Sequence, residues 1–68
     1  MQFHQVESSN VHAIAHMDNV LHVKFKNGGH YAYTGVSLAL FEKMRSADSV
    51  GKFLNAHIKP NYPFEKVA

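Results

Sequence analysis

The chain has 68 residues, no cysteine and a formal net charge of +2, which lies wholly within residues 36–68. This length fits one domain, residues 1–68, whose thin core leaves little material for a walled catalytic cavity, so we expect no enzyme activity and no bound cofactor. A secreted domain this small usually needs disulfides, and no apolar run could span a membrane. We therefore expect a cytoplasmic protein with no membrane partner.

The first predicted strand covers residues 10–17 and follows a turn or strand entry at Ser8 and Ser9. Its apolar pattern is irregular, and we expect Val11 and Ile14 to be its inward anchors. A short turn then leads to the next strand.

The clearest strand pattern is in residues 20–25, where three apolar side chains alternate with His22 and Lys24. This period of two is typical of a half-buried strand. Residues 26–29 contain two glycines and predict a hairpin turn, and residues 30–34 predict the returning strand.

The length of the hairpin loop decides which face of the sheet Tyr31 and Tyr33 occupy. A two-residue loop would set them beside His22 and Lys24 as an exposed aromatic and basic platform. A three-residue loop, with Gly28 as the bulge glycine, places them with the apolar side chains instead. Because a one-residue slip exchanges the faces, the cleaner segregation favours the three-residue loop and tyrosines that lie mainly in the core.

Two short helices are predicted downstream. Ser37 is a plausible N-cap for a helix to about Ser46, whose apolar stripe consists of Leu40, Phe41 and Met44. Asp48 or Ser49 caps a second helix that runs through Ile58. The side chains expected on or near its buried side are Val50, Phe53, Leu54 and His57.

The predicted fold class is therefore α+β, with an antiparallel three-stranded β-meander followed by two short helices packed on one sheet face. Pro60 ends the second helix. The tail that follows is extended, and we expect its aromatic side chains, Tyr62 and Phe64, to fold back on the domain.

Several motifs follow one another in a set order, and together they are more specific than any one alone. They are Val6-Glu7-Ser8-Ser9-Asn10-Val11, Leu21-His22-Val23-Lys24-Phe25-Lys26-Asn27-Gly28, Tyr31-Ala32-Tyr33, Gly35-Val36, residues 47–55, and Ile58-Lys59 with Tyr62-Pro63. In this order they resemble the KTSC domain, a short module named after the C-terminus of some lysyl-tRNA synthetases, over about residues 6–67. Two places depart from the family pattern: Ser37 stands where proline is usual, and His16-Met17 where Tyr-Asp is usual.

The resemblance implies a free-standing bacterial or phage member of a family that also occurs as synthetase appendages. RNA binding has been suggested for such domains because some of them are attached to tRNA synthetases. We expect the motif residues to be mainly structural, and these are Ser8, Ser9, Phe25, Gly28, Tyr31, Tyr33, Ser49, Gly51, Phe53 and Asn55.

Metal binding and nucleophilic catalysis find little support in the sequence. His12 and His16 have the spacing of a metal-binding pair on a helix, but on a strand four residues span roughly 13 Å, too far for a shared ion. We therefore predict no metal site. No motif places a nucleophile beside a base either, so we also predict no catalytic residue. For Ser49, helix capping is favoured over an anion site in which Ser49 and Lys52 assist a helix N-terminus.

The leading hypothesis is a small non-catalytic accessory module that binds nucleic acid, RNA such as tRNA before DNA. Its candidate surface consists of His22, Lys24, Lys26 and His30, with Lys52 and Lys59 on the second helix. The alternative is a protein-interaction module, either a homodimer or a small phage-type effector that docks on a host protein through Tyr62 and Phe64. Exposed tyrosines would favour RNA, and an apolar patch near the tail would favour a protein partner.

Overall fold

Five antiparallel strands form one sheet in the computed structural model, which describes residues 1–68. In order across the sheet they are β1 (His4–Gln5), β2 (Val11–Met17), β3 (Val20–Phe25), β4 (His30–Thr34) and β5 (Phe64–Lys66). The predicted meander corresponds to β2–β4, and its count of three strands is wrong. The outer strands β1 and β5 have two and three residues, too few to show the alternation that marks a strand in sequence.

A bulge in β2 explains why its apolar pattern is irregular. Val11 pairs with Phe25 and Ile14 pairs with Val23, so the pairing register shifts by one residue between Val11 and Ala13. Residues three apart would face opposite sides of a regular strand, whereas the extra residue turns both Val11 and Ile14 inward. Both side chains are fully buried, as the sequence predicts.

Each of the two central hairpins has the turn that its residues favour. Asp18 and Asn19 join β2 to β3 with φ angles of 53° and 61°, which suit a two-residue turn that matches the twist of the strands. Between β3 and β4 the Phe25 N–H donates to the Gly29 carbonyl, which leaves a three-residue loop, and Gly28 has a φ of 98°. The predicted three-residue loop is confirmed.

The register of this hairpin places the tyrosines with the apolar side chains of β3. Tyr33 pairs with Leu21 and Tyr31 pairs with Val23. Tyr33 is only 2% exposed, and Tyr31 is half-buried against the core. The two tyrosines therefore belong mainly to the core face, as the sequence favours.

The helices begin at the predicted caps. Helix α1 (Leu38–Arg45) has Ser37 as its N-cap, and the Ser37 hydroxyl accepts from the Leu40 N–H at 3.1 Å. Helix α2 (Val50–Phe53) has Ser49 as its N-cap, which accepts from the Lys52 N–H at 3.2 Å. The helix then widens into a π-helical segment (Leu54–Ile58).

Both helices pack on one face of the sheet around a single core. Phe41 and Met44 are buried from α1, and Val50, Leu54 and Ile58 from the second helix with its π-helical segment. No helix in the structure is long and apolar enough to cross a membrane.

One residue of the second helix, His57, is less buried than predicted. His57 is exposed, so the expectation that it lies near the buried side is wrong. Phe53 is half-buried, and its ring centroid lies 4.7 Å from that of His57. The π-helical segment accounts for this placement, because its wider turn brings Leu54 and Ile58 onto the core side and leaves His57 outside.

Candidate functional site

An open cavity of about 730 Å³ lies on the helix side of the sheet, where the β3–β4 hairpin meets β5. Its lining consists of four aromatic residues, two lysines, two asparagines and one serine, with no acidic residue. The volume is within the range of small-ligand sites in proteins. The cavity therefore combines aromatic surface with positive charge.

Four aromatic rings form the apolar part of the cavity. The Tyr31 ring centroid lies 5.5 Å from that of Phe25 and 5.5 Å from that of Phe64, and Tyr33 lies 5.7 Å from Phe64. Phe64 is 58% exposed, whereas Tyr33 is almost entirely covered. Burial raises the pKa of the Tyr33 phenol above its ordinary value, and neighbouring Tyr31 adds to this rise.

Two lysines reach the cavity from different elements. Lys59 follows the π-helical segment, and its Nζ lies 5.5 Å from the centroid of the Phe25 ring. Lys26 is the first residue of the hairpin loop, and its N–H donates to the Asn10 carbonyl at 2.8 Å. This bond ties the hairpin to the segment before β2.

The polar side chains of the cavity are held by local hydrogen bonds. The Ser8 hydroxyl accepts from the N–H groups of Asn10 and Val11, at 3.4 and 3.3 Å, and donates to Asn10 Oδ1 at 3.1 Å. A Cβ atom on Gly51 would lie 2.9 Å from Asn10 Oδ1, so glycine allows this close approach. Asn27 Oδ1 accepts from the Gly29 N–H at 3.0 Å.

A second cluster of aromatic and basic side chains lies on the opposite face of the sheet. His22 Nδ1 and His30 Nε2 are 3.1 Å apart and share one hydrogen bond. The Phe3 ring contacts both imidazoles edge-on, and Lys24 Nζ lies 4.2 Å from the centroid of this ring. Burial lowers the pKa of His22 below its ordinary value of 6.5, and the charges of His30 and, less strongly, His16 add to this effect.

The structure divides the predicted nucleic-acid surface between the two faces of the sheet. His22, Lys24 and His30 lie together on the face away from the helices. Lys26 and Lys59 line the cavity, and Lys26, at the hairpin end, also borders a second pocket together with Lys24 and His30. Lys52 is exposed on α2 and does not line the cavity.

The remaining predicted residues have local structural roles. Ser49 caps α2, which is the role that the sequence favours over an anion site with Lys52. His16 Nε2 donates to the Val36 carbonyl at 2.7 Å and its ring stacks on Phe41, whereas His12 is exposed. No group of three or more histidine, aspartate or glutamate side chains is placed to hold a metal ion.

Several cavity residues were not among the predicted binding residues. Asn10 and Asn27 lie in turns where asparagine is common, so nothing local marked them as ligand contacts. Phe64 was expected to fold back on the domain, but its position beside Tyr31 depends on the pairing of β5 with β4. Ser9 and Asn55 belong to the motifs; Ser9 lines the cavity, and Asn55 is exposed on the π-helical segment.

Comparison with known proteins gives consistent matches over most of the chain. The family model of the KTSC domain matches residues 7–62. A protein of Tsukamurella paurometabola is 32% identical over 59 residues, which cover 84% of this chain and 88% of that protein. The crystal structure of a KTSC domain protein from Yersinia pestis superposes with a TM-score of 0.92 at 32% identity, covering 98% of this chain and 97% of that one. The matched range includes every residue that lines the cavity except Phe64.

Proposed function

The chain belongs to the KTSC domain family, and we propose that it is a small non-catalytic module that binds single-stranded RNA in the aromatic cavity. The observation that carries the proposal is that Lys26 and Lys59 line the same cavity as four aromatic rings, with no acidic residue in the lining. Aromatic rings stack on unpaired bases, and lysines bind the phosphates between them. A double helix keeps its bases stacked, so it would present none to the cavity.

The serine hydroxyls support the non-catalytic part of the proposal. Ser8, Ser37 and Ser49 each accept hydrogen bonds from backbone N–H groups at the start of a strand or helix. A hydroxyl acting as nucleophile needs a base within hydrogen-bond reach. No side-chain base is hydrogen-bonded to these three hydroxyls, and their geometry is that of capping groups.

Fluorescence polarisation with a labelled RNA octamer of mixed sequence tests the proposal, with a perfectly paired RNA duplex as comparison. The double variant K26A/K59A should weaken binding of the single strand strongly. If both lysines contact phosphates, it should also reduce the slope of log K against log salt by roughly 1.4, at about 0.7 per phosphate on a single strand.

The matched control is the double variant K43A/K52A, which removes the same charge from exposed positions outside the cavity. It should leave most of the affinity in place. Equal losses in the two double variants would show that binding follows net charge alone and would exclude the cavity as the RNA site. Equal affinity for the duplex would exclude the insertion of an unpaired base.

Exposed apolar side chains on β5 favour a protein partner as the second candidate function. Phe64 is 58% exposed and Val67 just after the strand is 54% exposed. Such side chains on an edge strand suit burial against another protein or a second copy of this chain. Sedimentation that shows a mass rising with concentration, and a return to monomer in F64A, would support this candidate over RNA.

A further inference from the structure

Resting on the proposed RNA function, we infer that the bound strand continues from the aromatic cavity over the end of the β3–β4 hairpin and places a further phosphate on Lys24. The inference follows from a second pocket at that end of the hairpin, which we call the hairpin pocket. Its lining consists of two lysines, two histidines, two glycines, Phe25 and Ala68. Its volume of about 690 Å³ is close to that of the cavity, about 730 Å³.

The two pockets are neighbours that share part of their lining. Phe25 and Lys26 line both of them. Lys59 belongs to the cavity alone, whereas Lys24 and His30 belong to the hairpin pocket alone and lie on the face of the sheet away from the helices. A ligand that leaves the cavity past Lys26 therefore enters the hairpin pocket and reaches the opposite face of the sheet.

The positive charge along this path is not offset by carboxylates. The chain contains five aspartate and glutamate residues, but none of them lines either pocket. The three lysines of the path, Lys24, Lys26 and Lys59, are all exposed, and none of them forms an ion pair. Lys24 Nζ instead lies over the Phe3 ring, 4.2 Å from its centroid. A polyanion is therefore the class of ligand that matches the whole path.

The hairpin loop leaves room for a strand between the pockets. Gly28 and Gly29 line the hairpin pocket without a side chain, and a Cβ atom on Gly28 would have no other atom within 4 Å. Lys24 and Lys26 are two residues apart, which is roughly 7 Å along an extended chain. This separation is comparable to that of neighbouring phosphates in an extended single strand. The phosphates of one strand can thus contact Lys59, Lys26 and Lys24 in that order.

The salt dependence of binding by two strands of different length tests this path. An RNA trimer with hydroxyl groups at both ends carries two phosphates, enough for Lys26 and Lys59 only, whereas the octamer has phosphates to spare for Lys24. At about 0.7 per phosphate contact on a single strand, the slope of log K against log salt should have a magnitude of about 2.1 for the octamer and about 1.4 for the trimer. Polarisation measures the labelled octamer, and competition against it measures the unlabelled trimer.

The variant K24A removes the further contact. It should reduce the slope for the octamer by about 0.7 and leave the affinity for the trimer unchanged. K24R keeps the charge and should keep the octamer slope. K43A removes a charge from an exposed position outside both pockets and should leave both slopes in place. An amide NMR spectrum verifies the fold of each variant.

The possible failures are distinguishable. An octamer slope that falls in K26A/K59A but not in K24A would refute the path over the hairpin while the RNA function stands. Equal losses for trimer and octamer in K24A would also refute the path, because Lys24 would then act on a ligand that stays within the cavity. Absence of binding to either strand would overturn the proposed function and this inference with it.

Discussion

Replacing Gly51 by alanine tests how rigidly Ser8 and Asn10 are held beside the second helix. The added Cβ would lie 2.9 Å from Asn10 Oδ1 and 3.1 Å from Ser8 Oγ, both closer than ordinary contact. Overpacking of this kind typically costs about 1–3 kcal/mol. The higher helix propensity of alanine offsets up to about 1 kcal/mol of this loss in the free energy of unfolding. We therefore expect G51A to lower the free energy of unfolding by about 1 kcal/mol.

Removing Asn10 should reverse the sign of this effect. In an N10A background the nearest atom to the new Cβ is gone, and only the 3.1 Å approach to Ser8 Oγ remains. The gain in helix propensity should then dominate, so G51A should raise the free energy of unfolding by about 0.5–1 kcal/mol. The double-mutant cycle should thus give a coupling of about 1.5–2 kcal/mol between the two positions.

Urea denaturation followed by circular dichroism measures all four proteins of the cycle. The slope of the free energy of unfolding against urea concentration should be the same in all four proteins. Shifts in the midpoint concentration of urea then report changes in stability alone. At this chain length a change of 1 kcal/mol corresponds to roughly 4–8 °C in melting temperature, which makes the effect measurable by heat as well. If G51A stabilises the wild-type and N10A backgrounds equally, Asn10 moves aside without cost and the described network is not rigid.

Three further predictions concern stability. M44A removes a fully buried side chain and should cost about 2–5 kcal/mol, whereas M17A, at a half-exposed position, should change stability by less than about 0.5 kcal/mol in the same urea assay. S37A removes the cap that accepts from the Leu40 N–H and should cost about 0.5–2 kcal/mol by thermal melting, with rescue by S37D. Because the pKa of His22 is lowered in the folded chain, the unfolded chain takes up this proton first as the pH falls. The contribution of neutral His22 to the free energy of unfolding should be complete above about pH 6.5 and decline as the pH falls through the lowered pKa. An H22Q variant whose free energy of unfolding depends on pH in the same way as that of the wild type would refute this prediction.

The central part of the fold could be predicted from the sequence because its signals are local. The alternation in β3 and the serine caps of both helices act over a few residues, and the positive φ at Gly28 fixes the register of the hairpin. The outer strands β1 and β5 could not be found this way. They form because β2 and β4 offer unpaired backbone groups to short flanking segments, and in the case of β5 that segment lies beyond both helices in the sequence.

The candidate site was only partly predictable for a related reason. Lys26 and Lys59 were recognised as binding candidates, but the sequence assigned them to one surface with Lys24 and His30. Both lysines line the cavity, whereas Lys24 and His30 lie on the opposite face, with Lys26 at the hairpin end bordering both groups. The distinction depends on how a turn and a helix end are wound, which residue type alone does not reveal.

The shortness of β1 and β5 also affects how copies of the domain behave at high concentration. The free edge of a long, flat outer strand is a template on which another chain can add, and repeated addition leads to fibres. Here the outer strands have only two and three residues, and β5 carries Glu65 and Lys66. The sheet thus ends on either side in a row of backbone groups too short to support open-ended growth.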